Sequence, residues 1–495
     1  MKPLIQRRSS ICKILFLSFI FFVAGSCKKI TDDLNISPNS PIDSPPDLLL
    51  SGAQTTSILV YEGNLARIGG IFANTFTGSD RQYVLFENYL STAPDYDDTW
   101  DNLYQGVIAQ AKIIQNKSAA VNNRVLVGIA QVMQAQAFGL AADLWGDIPF
   151  TEAGNAELYP QPAFDPQLDV YAGIQLMLDS AINNLASGVG QTAWNNSKDI
   201  FYGGNTAKWI AAAHTLKARF YLHTKNYALA LSEAQQGIQD VSGNMMAPHG
   251  STFGADFNVY YDFLTYNRPG YMTADGAYLP SLLDSSSPNY RGNSKTDETA
   301  RFNYLFQEGL NTGGLDPNVL CDFDWGVPTE ETGFFGANNP FPLITYEENQ
   351  LIIAETQMKT GNAANALAAL NAFRAYLNSG GYIRSGYIAL GLNYDPYVLS
   401  DFSAGGIANA AGLLSQNDAL LKEILEERYV TLAGQMEQFN DLRRTKNFIG
   451  VPPKTGSQIP QRYFYPQNEI NSNANTPQLG SADLFVATPV NTSAY

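Results

Sequence analysis

The sequence predicts a mainly α protein: a scaffold of tetratricopeptide-like helical hairpins carrying a loop-rich insertion with small β elements. Three observations lead there. Leu126, Ile129, Met133, Ala137, Leu140 and Leu144 recur with helical period on one face. Ala218 and Ala230 flank a turn at residues 224–226, and Ala354 and Ala366 flank another at residues 360–361. Small residues so spaced let two antiparallel helices pack closely, although neither a fixed period nor the full repeat consensus accompanies them, so scattered hairpins are expected rather than a solenoid. The pattern breaks at residues 251–346, where 18 of 96 residues are aromatic (19%, against 12% overall) among Gly, Asn, Pro and Asp. Irregular backbone of that kind is where a rigid scaffold displays a binding surface.

Taken in order, residues 1–26 read as a lipoprotein signal peptide. Lys2, Arg7 and Arg8 form a positive start, and residues 11–23 are nearly continuously apolar, too short to span a bilayer. Ala24, Gly25 and Ser26 before Cys27 resemble a bacterial lipoprotein cleavage box, with Ala24 where Leu is usual, which makes Cys27 the expected lipidation site. Residues 27–47 carry Pro38, Pro41, Pro45 and Pro46 among polar residues and read as a flexible tether. Residues 48–495 read as one domain. Its helical scaffold spans about 48–250 and 341–450, its irregular ligand face about 251–340, and its closing segment 451–495. Trp100 and Tyr104 stand one turn apart, Gly146 to Pro149 end the run after Leu144, and Leu421, Leu425, Tyr429 and Leu432 mark a later helix.

Composition narrows the function. Lys+Arg 30 against Asp+Glu 46 gives a net charge of −16. Lys2, Arg7, Arg8 and Lys13 all precede Cys27 and no acid does, so the remainder stands near −20. No cluster of cations offers a phosphate-binding surface, which excludes nucleic acid and disfavours anionic ligands. Three His and three Cys make a zinc or thiol site improbable. Cys12 leaves with the leader and Cys27 carries lipid, so Cys321 reads as a lone buried thiol. Only 15% of residues are charged, and an uncharged, aromatic, amide-rich surface suits neutral sugar.

Five segments, in order, then amount to a resemblance. They are residues 33–39 (DLNISPN), 142–150 (ADLWGDIPF), 341–348 (FPLITYEE), 427–429 with 440–445 (ERY and NDLRRT, Phe439 standing where Trp is common) and 465–473 (YPQNEINSN). Behind the lipobox they resemble the SusD/RagB family of outer-membrane nutrient-binding lipoproteins. The resemblance implies a mainly helical fold and a lipid-anchored place on the outer face of the outer membrane. It also implies a SusC-like TonB-dependent transporter as partner, capped by this protein as a hinged lid, and an oligosaccharide ligand captured without chemistry. The same role for peptides or another nutrient, and a structural adaptor that binds protein only, stay open. Among the motif residues, Asp143, Trp145 and Asp147 read as closing a helix, Arg443 and Arg444 as pairing with acids, and Tyr346 with Glu347 as opening a helix.

The family's glycan residues vary in position, so the ligand candidates come from the irregular region itself: Tyr260, Tyr261, Tyr266, Tyr271, Tyr290 and Trp325, with Asn267, Arg268 and Asp324 beside them. Aromatic faces stack on sugar C–H groups while amides, carboxylates and guanidinium groups meet the hydroxyls. The competing reading for each ring is the core. Phe334 and Phe335, between glycines, suggest a loop-tip contact. No enzyme is expected: the acid pairs Asp97–Asp98, Glu330–Glu331, Glu347–Glu348 and Glu426–Glu427 are sequence neighbours that read as solvated faces, not carboxylates set across a sugar. His214, His223 and His249 lack metal-type spacing, and nucleophile and nucleotide motifs are absent. Asp95, Asp97 and Asp98, or Asp322 and Asp324, offer hard oxygens of the type Ca²⁺ takes, but without the full loop signature no cofactor is expected.

Overall fold

The computed structural model describes residues 44–309, 313–321 and 328–495. Cys27, most of the tether, Asp322, Asp324 and Trp325 lie outside the described residues.

Helix α1 (Pro46–Glu62) begins two residues inside the expected tether, because proline's fixed φ suits the first helical position, where its missing N–H costs nothing. It is followed by α2 (Asn64–Phe72) and by α3 (Ala109–Ala120), which is entered through a π-helical turn at Asn102–Ile108. Side-chain caps then fix several starts. The Asn123 Oδ1 accepts from Leu126 N (3.1 Å) to open α4 (Arg124–Trp145). After α5 (Gln167–Ala186), Asn205 opens α6 (Thr206–His223), and a turn through left-handed Lys225 leads to α7 (Tyr227–Ala234). Thr345 caps α8 (Tyr346–Lys359), Asn362 caps α9 (Ala363–Asn378) and Ser415 caps α10 (Gln416–Thr431), ahead of α11 (Met436–Arg444).

Ala218, Ala230, Ala354 and Ala366 are all fully buried at the hairpin contacts, as their spacing predicts. The hairpins are not scattered, however. Each helix from α3 to α9 packs on the next, α7 against α8 included, although residues 235–345 separate that pair in the chain. The inserted loops erase the sequence period and leave the stacking intact. Helix α4 departs from its one-sided reading: flanked by α1, α3, α5 and α6, it is buried all round, Gln134 and Gln136 included. Its 22 residues are long and apolar enough to cross a membrane, yet here they form the middle of the scaffold.

Among the described residues the β content is four short antiparallel ribbons. Strands β1 (Thr77–Gly78), β2 (Met245–Ala247), β3 (Met272–Thr273), β4 (Thr296–Asp297), β5 (Phe306–Glu308), β6 (Leu315–Pro317), β7 (Phe341–Ile344) and β8 (Asn393–Tyr394) pair as β1–β3, β2–β7, β4–β8 and β5–β6. All four tie the insertion internally or pin it to the scaffold. The closing segment runs without long helices across the end of α4, where Tyr463 OH donates to Leu65 O (2.9 Å).

Two of the four acid pairs expected on solvated faces are instead buried: Glu347–Glu348 and Glu426–Glu427. Glu348 receives a two-point hydrogen bond from Arg219 (2.6 Å each), and Glu427 meets Arg301 and Arg291. Arg443 and Arg444 are both buried, but only Arg444 pairs with acids, binding Glu355 and Asp441; Arg443 instead donates to the backbone carbonyls of Asp143 and Gln461. A buried guanidinium is tolerated only with such partners.

Candidate functional site: an exposed aromatic ledge

Asn258, itself buried, sets the geometry of the ledge. Its Oδ1 accepts from Tyr260 N (3.0 Å) and Tyr261 N (3.1 Å), opening a one-turn helix at Val259–Asp262 that runs into a π-turn at Phe263–Asn267. That cap turns both tyrosines inward, against the expectation for ligand contacts. Tyr260 OH donates to Gly434 O (2.7 Å) with its ring against Phe335, and Tyr261 packs on Phe257, its hydroxyl 3.5 Å from the buried Cys321 Sγ. Both rings are core. Phe334 and Phe335 are core too: their N–H groups bond Tyr304 O and Asn318 O, and the flanking glycines let that strip fold inward rather than project.

The π-turn carries Tyr266 outward. Its ring is 42% exposed, stacks parallel on Phe257 (5.9 Å) and meets Phe253, 68% exposed, edge to face at 5.0 Å. Two large apolar rings held open to water by a buried third are an uncommon arrangement, because exposed aromatic area of this size is normally withdrawn or covered. Beside them Asn267 donates to Asp262, and Arg268, anchored by its Nη1 to Asn267 O (2.8 Å), lies over the half-buried Tyr271 ring at 5.8 Å. Tyr266, Asn267, Arg268 and Tyr271 are therefore brought together. Tyr290 is not: half-buried, its hydroxyl accepts from Glu298 N (3.3 Å) beside the Arg291 cluster.

The sequence reading missed the neighbouring Asp80 and Arg81. Tyr271 O accepts from Ser79 N (2.8 Å) and Asp80 N (3.3 Å), which docks the turn after β1 on the ledge and leaves the Asp80–Arg81 pair exposed. Arg81 stands at positive φ (52°), with its guanidinium 3.6 Å from the Asp80 carboxylate. Gly78 permits the approach: a Cβ there would sit 1.9 Å from Tyr83 O. The only available signal was that glycine, since Asp80 and Tyr271 lie almost two hundred residues apart.

Of the oxygens considered for Ca²⁺, Asp95 accepts from Thr92 N and Oγ1 and closes a turn, and Asp97 accepts from Asn468 N (2.9 Å) at the start of the Gln467–Ser472 helix. A different group assembles deep in the scaffold. Asp143, which the motif reading placed in a helix cap, lies inside α4, and its Oδ1 sits 2.7 Å from His223 Nδ1; Glu437 Oε2 sits 3.0 Å from His223 Nε2. These three groups bring metal-ligand atoms within 4.8 Å of one another. With both ring nitrogens donating to carboxylates, the imidazolium occupies the place a cation would take. Burial opposes the charged ring, but Asp143 and Glu437 override it and push its pKa from 6.5 up to about 9. The sign follows: a raised histidine stabilises the fold fully below pH 6.5 and loses that contribution as pH climbs through about 9. Wild-type stability in urea should fall by about 3 kcal/mol over that window from this group, and His223→Gln should remove that part of the slope.

A stacked helical scaffold that holds aromatic rings and planar polar groups open on its surface defines a ligand-binding protein. Residues 38–466 match a family model described as SusD-like, starch-binding and associating with the outer membrane. The chain belongs to the SusD-like family, whose members are outer-membrane-associated nutrient-binding proteins. Solved structures share its fold. A SusD/RagB family protein from Bacteroides thetaiotaomicron superposes with a TM-score of 0.68 at 20% identity, over 92% of this chain and 100% of that one. A SusD homologue from Parabacteroides distasonis gives 0.66 at 16% identity, over 91% and 99%. A chitin-binding SusD homologue from Flavobacterium johnsoniae gives 0.58 at 16% identity, over 86% and 94%. No curated protein matches the chain.

Proposed function

We propose that this protein is a non-catalytic cell-surface lipoprotein, anchored in the outer membrane through Cys27. It captures a neutral oligosaccharide on the ledge and delivers it to a SusC-like TonB-dependent transporter, over which it sits as the lid. The observation that carries the reading is the pair of open rings, Phe253 and Tyr266, with Asp262, Asn267 and Arg268 on the segment that carries Tyr266. Rings supply faces for sugar C–H groups, and the flanking guanidinium and carboxylate groups meet hydroxyls with donors and acceptors alike. The acidic remainder of the chain favours an uncharged glycan, and the chitin-binding relative supports a saccharide ligand.

Calorimetric titration against starch, chitin, cellulose and xylan oligosaccharides tests the reading. At least one class should bind. Phe253→Ala with Tyr266→Ala should weaken it at least tenfold, about 1.4 kcal/mol, with an unchanged melting temperature, because neither ring is part of the closed core. Silence for every glycan alongside binding of a peptide library would move the ligand class to peptides. Cys27→Ser should release the protein from the membrane fraction, and copurification of a barrel transporter with the wild type tests the partnership.

A further inference from the structure

A second cleft of about 390 Å³ lies where the insertion meets the scaffold, and it shares no residue with the ledge. Its floor is the β2–β7 ribbon, through Met246 and Pro342, and its walls carry the rings of Tyr304, Phe334, Tyr376 and Tyr382. Phe334 backs onto Phe335, which in turn packs on Tyr260, so core rings lie between the cleft and the segment that carries the ledge. The cleft falls within the size range of small-ligand sites, apolar in the main with a few convergent polar groups.

Three of those polar groups are left with bonding capacity. Glu347 is 6% exposed and accepts from Asn244 Nδ2 (3.0 Å) and from Tyr376 OH, both neutral donors; among the described residues no cation pairs with it. Arg384, half-buried across the same cleft, donates to Asn339 Oδ1 (2.7 Å), bonds the Tyr304 hydroxyl, and has no carboxylate within ion-pair distance among the described residues. Gln435 is 7% exposed, and its side-chain amide has no protein partner among the described residues. Elsewhere in this core several carboxylates and guanidinium groups are matched closely, as in Arg219–Glu348, Arg301–Glu427 and Arg444–Glu355, while Arg67 and Arg443 are held by neutral groups. Here a carboxylate, a guanidinium and an amide converge unmatched on one apolar cleft.

We infer that this cleft is a second saccharide site, taking one sugar ring between the tyrosines, with Glu347 accepting from hydroxyls and Arg384 and Gln435 donating to ring and hydroxyl oxygens. Sugar hydroxyls both donate and accept, which suits a mixed set of carboxylate, guanidinium and amide better than an ion of either sign does. The inference rests on the saccharide reading of the protein and adds to it a second point of capture. It gives the lid one site on its open face and one where the insertion joins the hairpins.

Four disaccharides (maltose, cellobiose, xylobiose and N,N′-diacetylchitobiose), each titrated calorimetrically into full-length protein, decide it. At least one should saturate wild type at two equivalents. Arg384→Ala should weaken one of the two at least tenfold, and so should Gln435→Met, which keeps the side-chain volume and breaks no protein hydrogen bond. Both variants should leave the other equivalent intact. Phe253→Ala with Tyr266→Ala should remove the opposite equivalent. A single wild-type equivalent, lost in the ledge variant and unchanged in Arg384→Ala and Gln435→Met, overturns the cleft and leaves the ledge standing. Failure of all four disaccharides to bind overturns both. Saturation of the cleft by a dipeptide but by no disaccharide overturns the saccharide assignment.

Discussion

Arg301→Met is expected to cost about 3–5 kcal/mol of stability, the range for removing one partner from a buried ion pair. Arg301 is fully buried between two carboxylates that are themselves fully buried. It gives Nε and Nη2 to Glu298 (2.8 and 2.7 Å) and Nη1 to Glu427 (2.5 Å), while Tyr394 OH donates to Glu298 (2.7 Å) and Thr431 Oγ1 to Glu427 (3.0 Å). Arg291 also bridges Glu298 and Glu427, but its second nitrogen is committed to Glu423 (2.8 Å). Burial alone would raise the Glu427 carboxyl; Arg301 and then Arg291 override it and hold it well below the usual range. Without Arg301 two carboxylates share one cation, and burial drives one of them towards the protonated form.

A pH signature distinguishes this cause from lost packing. A carboxyl whose folded pKa is raised gives stability below the unfolded value of about 4.3 and loses it as pH rises through the folded value. Arg301→Met should therefore recover more stability on mild acidification than wild type, whose gain over that range is confined to the last part of the His223 contribution, as followed by urea unfolding at pH 5 and 7. Adding Glu427→Gln should restore part of the loss, with coupling of about 0.5–3 kcal/mol. A single variant as stable as wild type at pH 7 would show the cluster to be dispensable. The cluster ties α10 to the β4–β8 ribbon and to the helix at Thr299–Leu305, so it holds the insertion on the scaffold.

This network explains where reading the sequence stopped. The hairpins were legible because their information is local: Ala218 with Ala230, Ala354 with Ala366 and the glycine after Trp145 lie within one or two turns of what they determine. Ion pairs are not local. Glu427 meets an arginine 126 residues away and Arg444 a glutamate 89 residues away, so a neighbouring acid pair such as Glu426–Glu427 looked like a wet helix face. At the ledge the composition marked residues 251–346 as irregular and aromatic, but which ring faces out depends on the rotation set by the Asn258 cap. Tyr260 and Tyr261 turned in and Tyr266 out, and the exposed Phe253 and the Asp80–Arg81 turn joined from outside the candidate set.

Trp145→Ala is the other large expected loss, about 3–5 kcal/mol, and it tests whether the motif segment at residues 142–150 holds structure or ligand. Trp145 is fully buried, edge-on to Trp100 (5.1 Å), Tyr463 (5.9 Å) and Tyr96 (6.3 Å), and its Nε1 donates to Phe464 O (2.7 Å). The neighbouring carbonyls bind the same stretch of chain: Leu144 O accepts from Tyr463 N (2.8 Å), and the carbonyls of Trp145 and Asp147 accept from Tyr465 OH (3.1 and 2.7 Å). The end of α4 is thus the seat on which residues 461–465 are fastened, and that stretch in turn reaches α2 through Tyr463 and Leu65. Removing the indole opens a cavity and leaves Phe464 O without its donor, two penalties at one position. Trp145→Phe keeps much of the ring and loses only the hydrogen bond, so it should cost about 1–3 kcal/mol. Limited proteolysis should cut Trp145→Ala first within residues 451–495, well before the stacked hairpins. Glycan binding measured below the lowered melting point should be unchanged, since no ledge side chain touches the indole. A Trp145→Ala protein with wild-type stability and lost binding would reverse the assignment and place this tryptophan in the ligand site.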